Sequence, residues 1–147
     1  MFAALAGSAL TFVFQTQAAR QAEQFARERH LWSERIAAYS AFAAALTDFR
    51  RVQNDRWHLE QEDAAGSQFV TARDESYRLR AAATAALCRV RLLSGNVELN
   101  AQAQGALEAT TEVHLAHDEQ DRLDRGDRAR LALEESLALA EAASDDR

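Results

Sequence analysis

Proline and lysine are absent from this chain of 147 residues, cysteine occurs once and glycine five times. The lack of proline excludes a Pro-rich disordered chain and removes the strongest interior breaker of helices. A lone Cys88 excludes an intrachain disulfide framework and any multi-cysteine zinc or iron–sulfur site. Isoleucine, valine and threonine together number 14, which argues against a β-sandwich or a barrel. Gly-rich phosphate loops, nucleophile elbows and paired-acid motifs are missing as well, so the residues point to no enzyme chemistry and imply no cofactor.

What fills the chain instead is helix former: alanine, leucine, arginine and glutamate account for 80 of the 147 residues. Leucine, isoleucine, valine and phenylalanine total 31, just above the range of disordered chains. The net charge of −6 is unevenly spread, being −1 over residues 15–63, +3 over 64–95 and −8 over 96–147. An acidic chain of this kind is a poor nonspecific ligand for nucleic acid. A basic second helix lying against an acidic C-terminal pair accounts for the asymmetry, and the excess negative charge marks the C-terminal region as a surface for a protein partner.

Turn chemistry divides the chain into four stretches. The first runs to about Asp63 and ends at Ala64-Ala65-Gly66-Ser67. Ser67 is placed to cap a second helix over Gln68 to Leu93. Ser94-Gly95-Asn96 then supplies a stop glycine and a cap for a third, over Val97 to Asp118. A polar patch at Asp121 to Gly126 precedes or begins the fourth, which ends near Ala143. Connections this short imply antiparallel neighbours. The expected fold is therefore an all-α, antiparallel up-and-down bundle of about four helices, its long first helix continuous with an N-terminal apolar anchor.

Helical projection tests each stretch for a buried face. On the first, Phe25, Trp32, Ile36, Tyr39, Phe42, Ala43, Leu46, Phe49 and Trp57 share one arc. The second has two apolar strips, one with Val70, Tyr77, Ala81, Cys88 and Leu92, the other with Phe69, Leu79, Ala83, Ala86, Leu87, Val90 and Leu93. Two strips imply a sandwiched helix with Cys88 buried and inert. The third buries Leu99, Ala103, Ala106, Leu107, Thr110 and Val113, and the fourth Ala129, Ala132, Leu133, Leu137 and Ala140.

The run Phe2 to Phe14 is apolar, uncharged and without a polar face. A signal peptide would need a basic leader and a small-x-small cleavage site, and both are missing. The reading that fits best is a membrane anchor over residues 1–19, followed by a helical stalk at 20–31 and a bundle domain at 32–147. Arg20, Arg27, Arg29 and Arg35 then favour a cytoplasmic C-terminal domain in a single-pass cell-membrane protein. The alternative is a packed or oligomerising N-terminus in a cytoplasmic protein. At 13 residues the run falls short of the roughly 20 that a spanning helix needs.

One constellation could carry metal chemistry. His114-x-x-His117 is followed by Asp118 and Asp121, and a continuous third helix would turn both imidazoles to the bundle interior with Thr110 and Val113. Two more ligands, from carboxylates near Asp121 or Asp124, would complete a site. Histidines in a last helical turn also favour the helix dipole, and that structural reading is preferred. A ferritin-like di-iron centre is disfavoured because Glu-x-x-His does not occur.

Gly7-Ser8-Ala9-Leu10 through Gln15, Ala43-Ala44-Ala45-Leu46-Thr47-Asp48-Phe49-Arg50-Arg51 and Leu87-Cys88-Arg89-Val90-Arg91-Leu92-Leu93 together resemble a group of actinobacterial membrane-anchored small helical proteins. This group includes the KilB-type plasmid spread proteins and uncharacterised relatives. The resemblance implies an anchored helical protein linked to plasmid transfer or spread, and carries over no catalytic or binding residues. The chain departs from the KilB type in its short anchor and in lacking a proline in the second helix. Together with the residues, it gives the expectation of a non-enzymatic, membrane-anchored interaction or scaffold protein that self-associates or meets a protein partner. The alternative is a metal- or ligand-sensing bundle, or a soluble oligomeric helical protein.

Overall fold

The computed structural model describes the backbone of residues 3–145 and the side chains of residues 17–143. Four α-helices and one 3-10 turn make up the described residues, with no strand among them. They are α1 (Ala3–Asp63), α2 (Ser67–Ser94), α3 (Val97–Thr111) and α4 (Glu119–Asp145), with the 3-10 turn Val113–Leu115 between the last two. The chain divides into two units, Met1–Glu34 and Arg35–Arg147. The second is a four-helix bundle.

Cross-helix hydrogen bonds fix the directions in the bundle. Arg35 Nε donates to the Leu93 carbonyl at 2.7 Å, and an Arg56 guanidinium nitrogen to Ser76 Oγ at 3.4 Å, so α1 and α2 run antiparallel. Arg91 to Gln104 and Ser94 to Asn100 reverse the chain again between α2 and α3. Gln102 donates to Glu135 and Arg125 to the Glu112 carbonyl, which sets α4 antiparallel to α3. The turns use the chemistry that their residues allow. Gly95 sits at φ 60°, a left-handed stop that a side chain would strain, and Asn96 Oδ1 accepts from the Leu99 N–H at 3.0 Å. Ser67 is not a cap, because α2 starts on it and Gly66 takes the cap position without a side-chain bond.

The core joins Phe42, Leu46 and Phe49 of α1 with Leu79, Leu87 and Val90 of α2 and Leu99 and Leu107 of α3. Ala38, Ala83 and Ala106 are wholly buried, and their small side chains let the helices approach closely. The second helix buries only one of its two apolar strips. Phe69, Leu79, Ala83, Leu87 and Val90 face the core, whereas Tyr77 and Leu92 are 56% and 86% exposed and Cys88 is exposed. The sandwiched α2 is thus corrected to a peripheral one. With four helices, each has two neighbours, and a 28-residue helix against them covers one face.

The N-terminal anchor is also overturned. Among the described residues no helix is long and apolar enough to cross a membrane. α1 has length to spare at 61 residues, but the sequence meets Gln15, Thr16, Gln17 and Arg20 directly after Phe14, and Glu23, Arg27, Glu28 and Arg29 follow. Charges at that density rule out the hydrocarbon core as their surroundings. The single-pass placement with a cytoplasmic C-terminal domain, the membrane as a partner and the membrane-anchored scaffold reading fall with the anchor. Most of the segment 1–19 lies outside the described side chains.

Candidate functional site

The C-terminal part of α1 meets the connection between α3 and α4, and the polar groups of the bundle concentrate there. α3 ends at Thr111, so the helical projection that placed both histidines on one face does not extend to them. Thr110 and Thr111 turn their hydroxyls back onto the carbonyls of Ala106 and Leu107, and Glu112 closes the helix. Val113, His114 and Leu115 then tighten into the 3-10 turn.

His114 is half-buried, its Nδ1 2.8 Å from the Thr111 carbonyl and 3.0 Å from Gln53 Nε2. Burial, followed by the positive charge of Arg56, pushes its pKa below the ordinary histidine value. His117 is exposed, and its backbone N–H donates to Asp121 Oδ2 at 3.0 Å. Asp118 caps α4, its Oδ1 accepting from the Asp121 N–H at 2.8 Å while its carbonyl accepts from the Arg122 N–H. Asp121 is held below the usual carboxylate range by the His117 N–H first and by Arg125 second. Helix capping therefore engages both aspartates, and His114 turns toward α1. Among the described residues no group of three or more His, Cys, Asp or Glu side chains is arranged to hold a metal ion.

Of the residues that tie this region together, Trp57 lies on the buried arc of the first helix, whereas Gln53 and Arg122 belong to no motif. Trp57 is buried and donates its Nε1–H to the Ala116 carbonyl at 2.8 Å. Arg122 lies 5.6 Å from the Trp57 ring centre, donates to Asn54 Oδ1 and pairs with Glu119 at 3.0 Å. Gln53, only 1% exposed, donates to the Thr111 carbonyl at 2.9 Å. A signal for Gln53 exists in the sequence. It stands seven residues after Leu46 and fourteen after Tyr39, a polar residue in register with the buried arc.

The apolar arc of α1 is covered only in part. Tyr39, Phe42, Leu46 and Phe49 are buried, whereas Phe25, Trp32 and Ile36 are 62%, 54% and 39% exposed. The charges around the first two are balanced, with Arg20, Arg27 and Arg29 against Glu23, Glu28 and Glu34. Arg27 and Glu23 approach to 3.7 Å across one turn.

The KilB plasmid transfer protein family matches residues 36–145, which spans the bundle from Ile36 onward. The chain belongs to that family, and the family is non-enzymatic. No curated protein and no solved structure matches the chain.

Proposed function

From membership of the KilB plasmid transfer protein family, we propose that this chain serves plasmid transfer as a non-enzymatic helical protein that self-associates through α1. The observation that carries this reading is the exposure of Phe25 and Trp32, seven residues apart on one helix face with Ala18 and Ala22 beside them. Large aromatic groups in a repeating row on an otherwise polar helix favour burial against another helix. The charge balance favours a second copy as that helix. Residues 17–34 carry no net charge, so two such segments meet without repulsion, whereas the whole −6 of the chain resides elsewhere.

Sedimentation velocity tests the proposal. The wild type is expected to show a concentration-dependent dimer or larger species, and Phe25→Glu with Trp32→Glu to sediment as a 16.3 kDa monomer with unchanged helix content. A wild type that stays monomeric at high micromolar concentration refutes self-association. A double variant that supports plasmid transfer as well as the wild type refutes its part in the process.

A further inference from the structure

On the outer side of α2, Tyr77, Ala81, Ala85, Cys88 and Leu92 form one exposed apolar strip at helical spacing. Arg80 and Arg91 stand along one edge of it and Arg78 and Arg89 along the other, all four exposed. The helix carries five arginines against two acids, Asp74 and Glu75. The outer side of α4 is its counterpart. Leu131, Ala138 and Ala142 are exposed there, with Asp127, Glu134 and Glu141 along one edge and Asp124 and Glu135 along the other. Eight acids in α4 outnumber four arginines, and Arg130 pairs with Asp127 and Glu134 at the edge of this face.

The two faces match in charge, in apolar content and in pitch. Arg78 and Arg89 are eleven residues apart, as are Arg80 and Arg91. Asp124 and Glu135 repeat that spacing, which is three turns or about 16 Å along either helix. Ala81 and Ala85 on one strip, and Ala138 and Ala142 on the other, allow two helix axes to come close. Within one molecule the faces cannot meet. α2 and α4 each pack on α1 and α3, so they lie on a diagonal of the bundle and turn their outer sides away from one another. Two α2 faces would set arginine against arginine. We propose that the outer face of α2 docks onto the outer face of α4 in a second copy of this chain. Such a contact is heterologous and repeats from copy to copy. Exposed ion pairs and small apolar groups make each contact weak. The inference therefore rests on the α1 self-association proposed above, since a dimer offers two of each face and its contacts reinforce one another.

Sedimentation velocity of the full chain at about 20 mM and about 0.5 M sodium chloride tests this, because salt screens surface charge. The wild type is expected to be dimeric at high salt and to form larger species at low salt, where the net charge of −6 would by itself drive copies apart. Arg80→Glu with Arg89→Glu on α2, and Asp127→Arg with Glu135→Arg on α4, are each expected to stay dimeric at both salts with unchanged helix content. An equimolar mixture of these two variants restores opposite charge across the contact and is expected to form the larger species again at low salt. The Phe25→Glu, Trp32→Glu protein is expected to stay monomeric throughout. A wild type that is dimeric at both salts, as an α2 face kept for a different acidic partner would leave it, overturns this proposal and spares the α1 reading. A wild type that is monomeric at both overturns the two together. Charge variants that grow like the wild type, or a mixture that stays dimeric, also overturn the α2–α4 contact.

Discussion

Replacing Gln53 by methionine should stabilise the protein, contrary to the usual penalty for altering a buried, hydrogen-bonded residue. Gln53 is 1% exposed and contributes one donor bond of 2.9 Å to the Thr111 carbonyl. Losing such a bond costs about 1 kcal/mol net. The carbonyl is not abandoned, because His114 Nδ1 lies 2.8 Å from it and in the neutral imidazole can carry the hydrogen that it accepts. Against this loss stands the buried Oε1, which has no partner and whose removal recovers roughly 1–3 kcal/mol of desolvation. Methionine keeps the length and approximate volume of glutamine, so no large cavity is added. The net expectation is a gain of about 1 kcal/mol, or a melting temperature higher by roughly 4 °C for a domain of this size. Urea unfolding followed by circular dichroism measures it. Destabilisation by more than about 1 kcal/mol would show that Oε1 is satisfied and that the reasoning on unpaired groups is wrong.

Three further outcomes follow from the same region. Asp118→Ala removes the side-chain acceptor for the Asp121 N–H and should cost about 1 kcal/mol, read by urea unfolding, whereas Asp118→Asn should retain most of it. His114 has a folded pKa below its unfolded value, so the unfolded chain binds more protons between the two. Stability from this group is present above the unfolded histidine pKa and is lost as pH falls through that value toward the lower folded one. His114→Gln should therefore flatten the stability profile in the weakly acidic range, and an NMR titration of the His114 ring should give a midpoint below the ordinary value. Elemental analysis of purified protein should show no stoichiometric zinc or iron, and His114→Gln with His117→Gln should leave metal content unchanged; stoichiometric metal lost in the double variant would restore the ligand reading of that pair.

The helix order was readable from composition and turn residues because both act locally. Gly95 and Asn96 stop and restart the chain through their own backbone and side-chain chemistry. The core faces of α3 and α4 were also readable, since Leu99, Ala103, Ala106 and Ala140 repeat at helical spacing and are buried. Periodicity was silent on which of the two α2 strips would be covered, because both repeat equally well and only the number of neighbours decides between them. It also failed at His114 and His117. Projection assumes that the helix continues, and two consecutive threonines that bond back to their own turn mark where α3 gives way. The Phe2–Phe14 run illustrates a third limit. Apolar character without sufficient length is compatible with several surroundings, and the charges that begin at Arg20 exclude a spanning helix over the longer stretch.

The buried Gln53 and the aromatic row both belong to α1, and both depart from the rule that otherwise orders its sequence. Over Tyr39 to Phe49 the arc is apolar and covered by the bundle. At Gln53 the same register delivers an amide into the core, and four residues later Trp57 must reach a carbonyl with its one N–H. At Phe25 and Trp32 the register delivers aromatics to the surface. A sequence under selection for stability alone would place apolar groups at Gln53 and polar ones at Phe25 and Trp32, which costs nothing in helix propensity. The inversion at both ends sets the apolar middle of α1 apart from its two flanks. The two flanks are separable by experiment: Gln53→Met should change the unfolding free energy without changing the sedimentation coefficient, and the Phe25→Glu, Trp32→Glu protein should change sedimentation while unfolding like the wild type. A variant of either flank that changed both readouts would mean that bundle stability and assembly are coupled through α1.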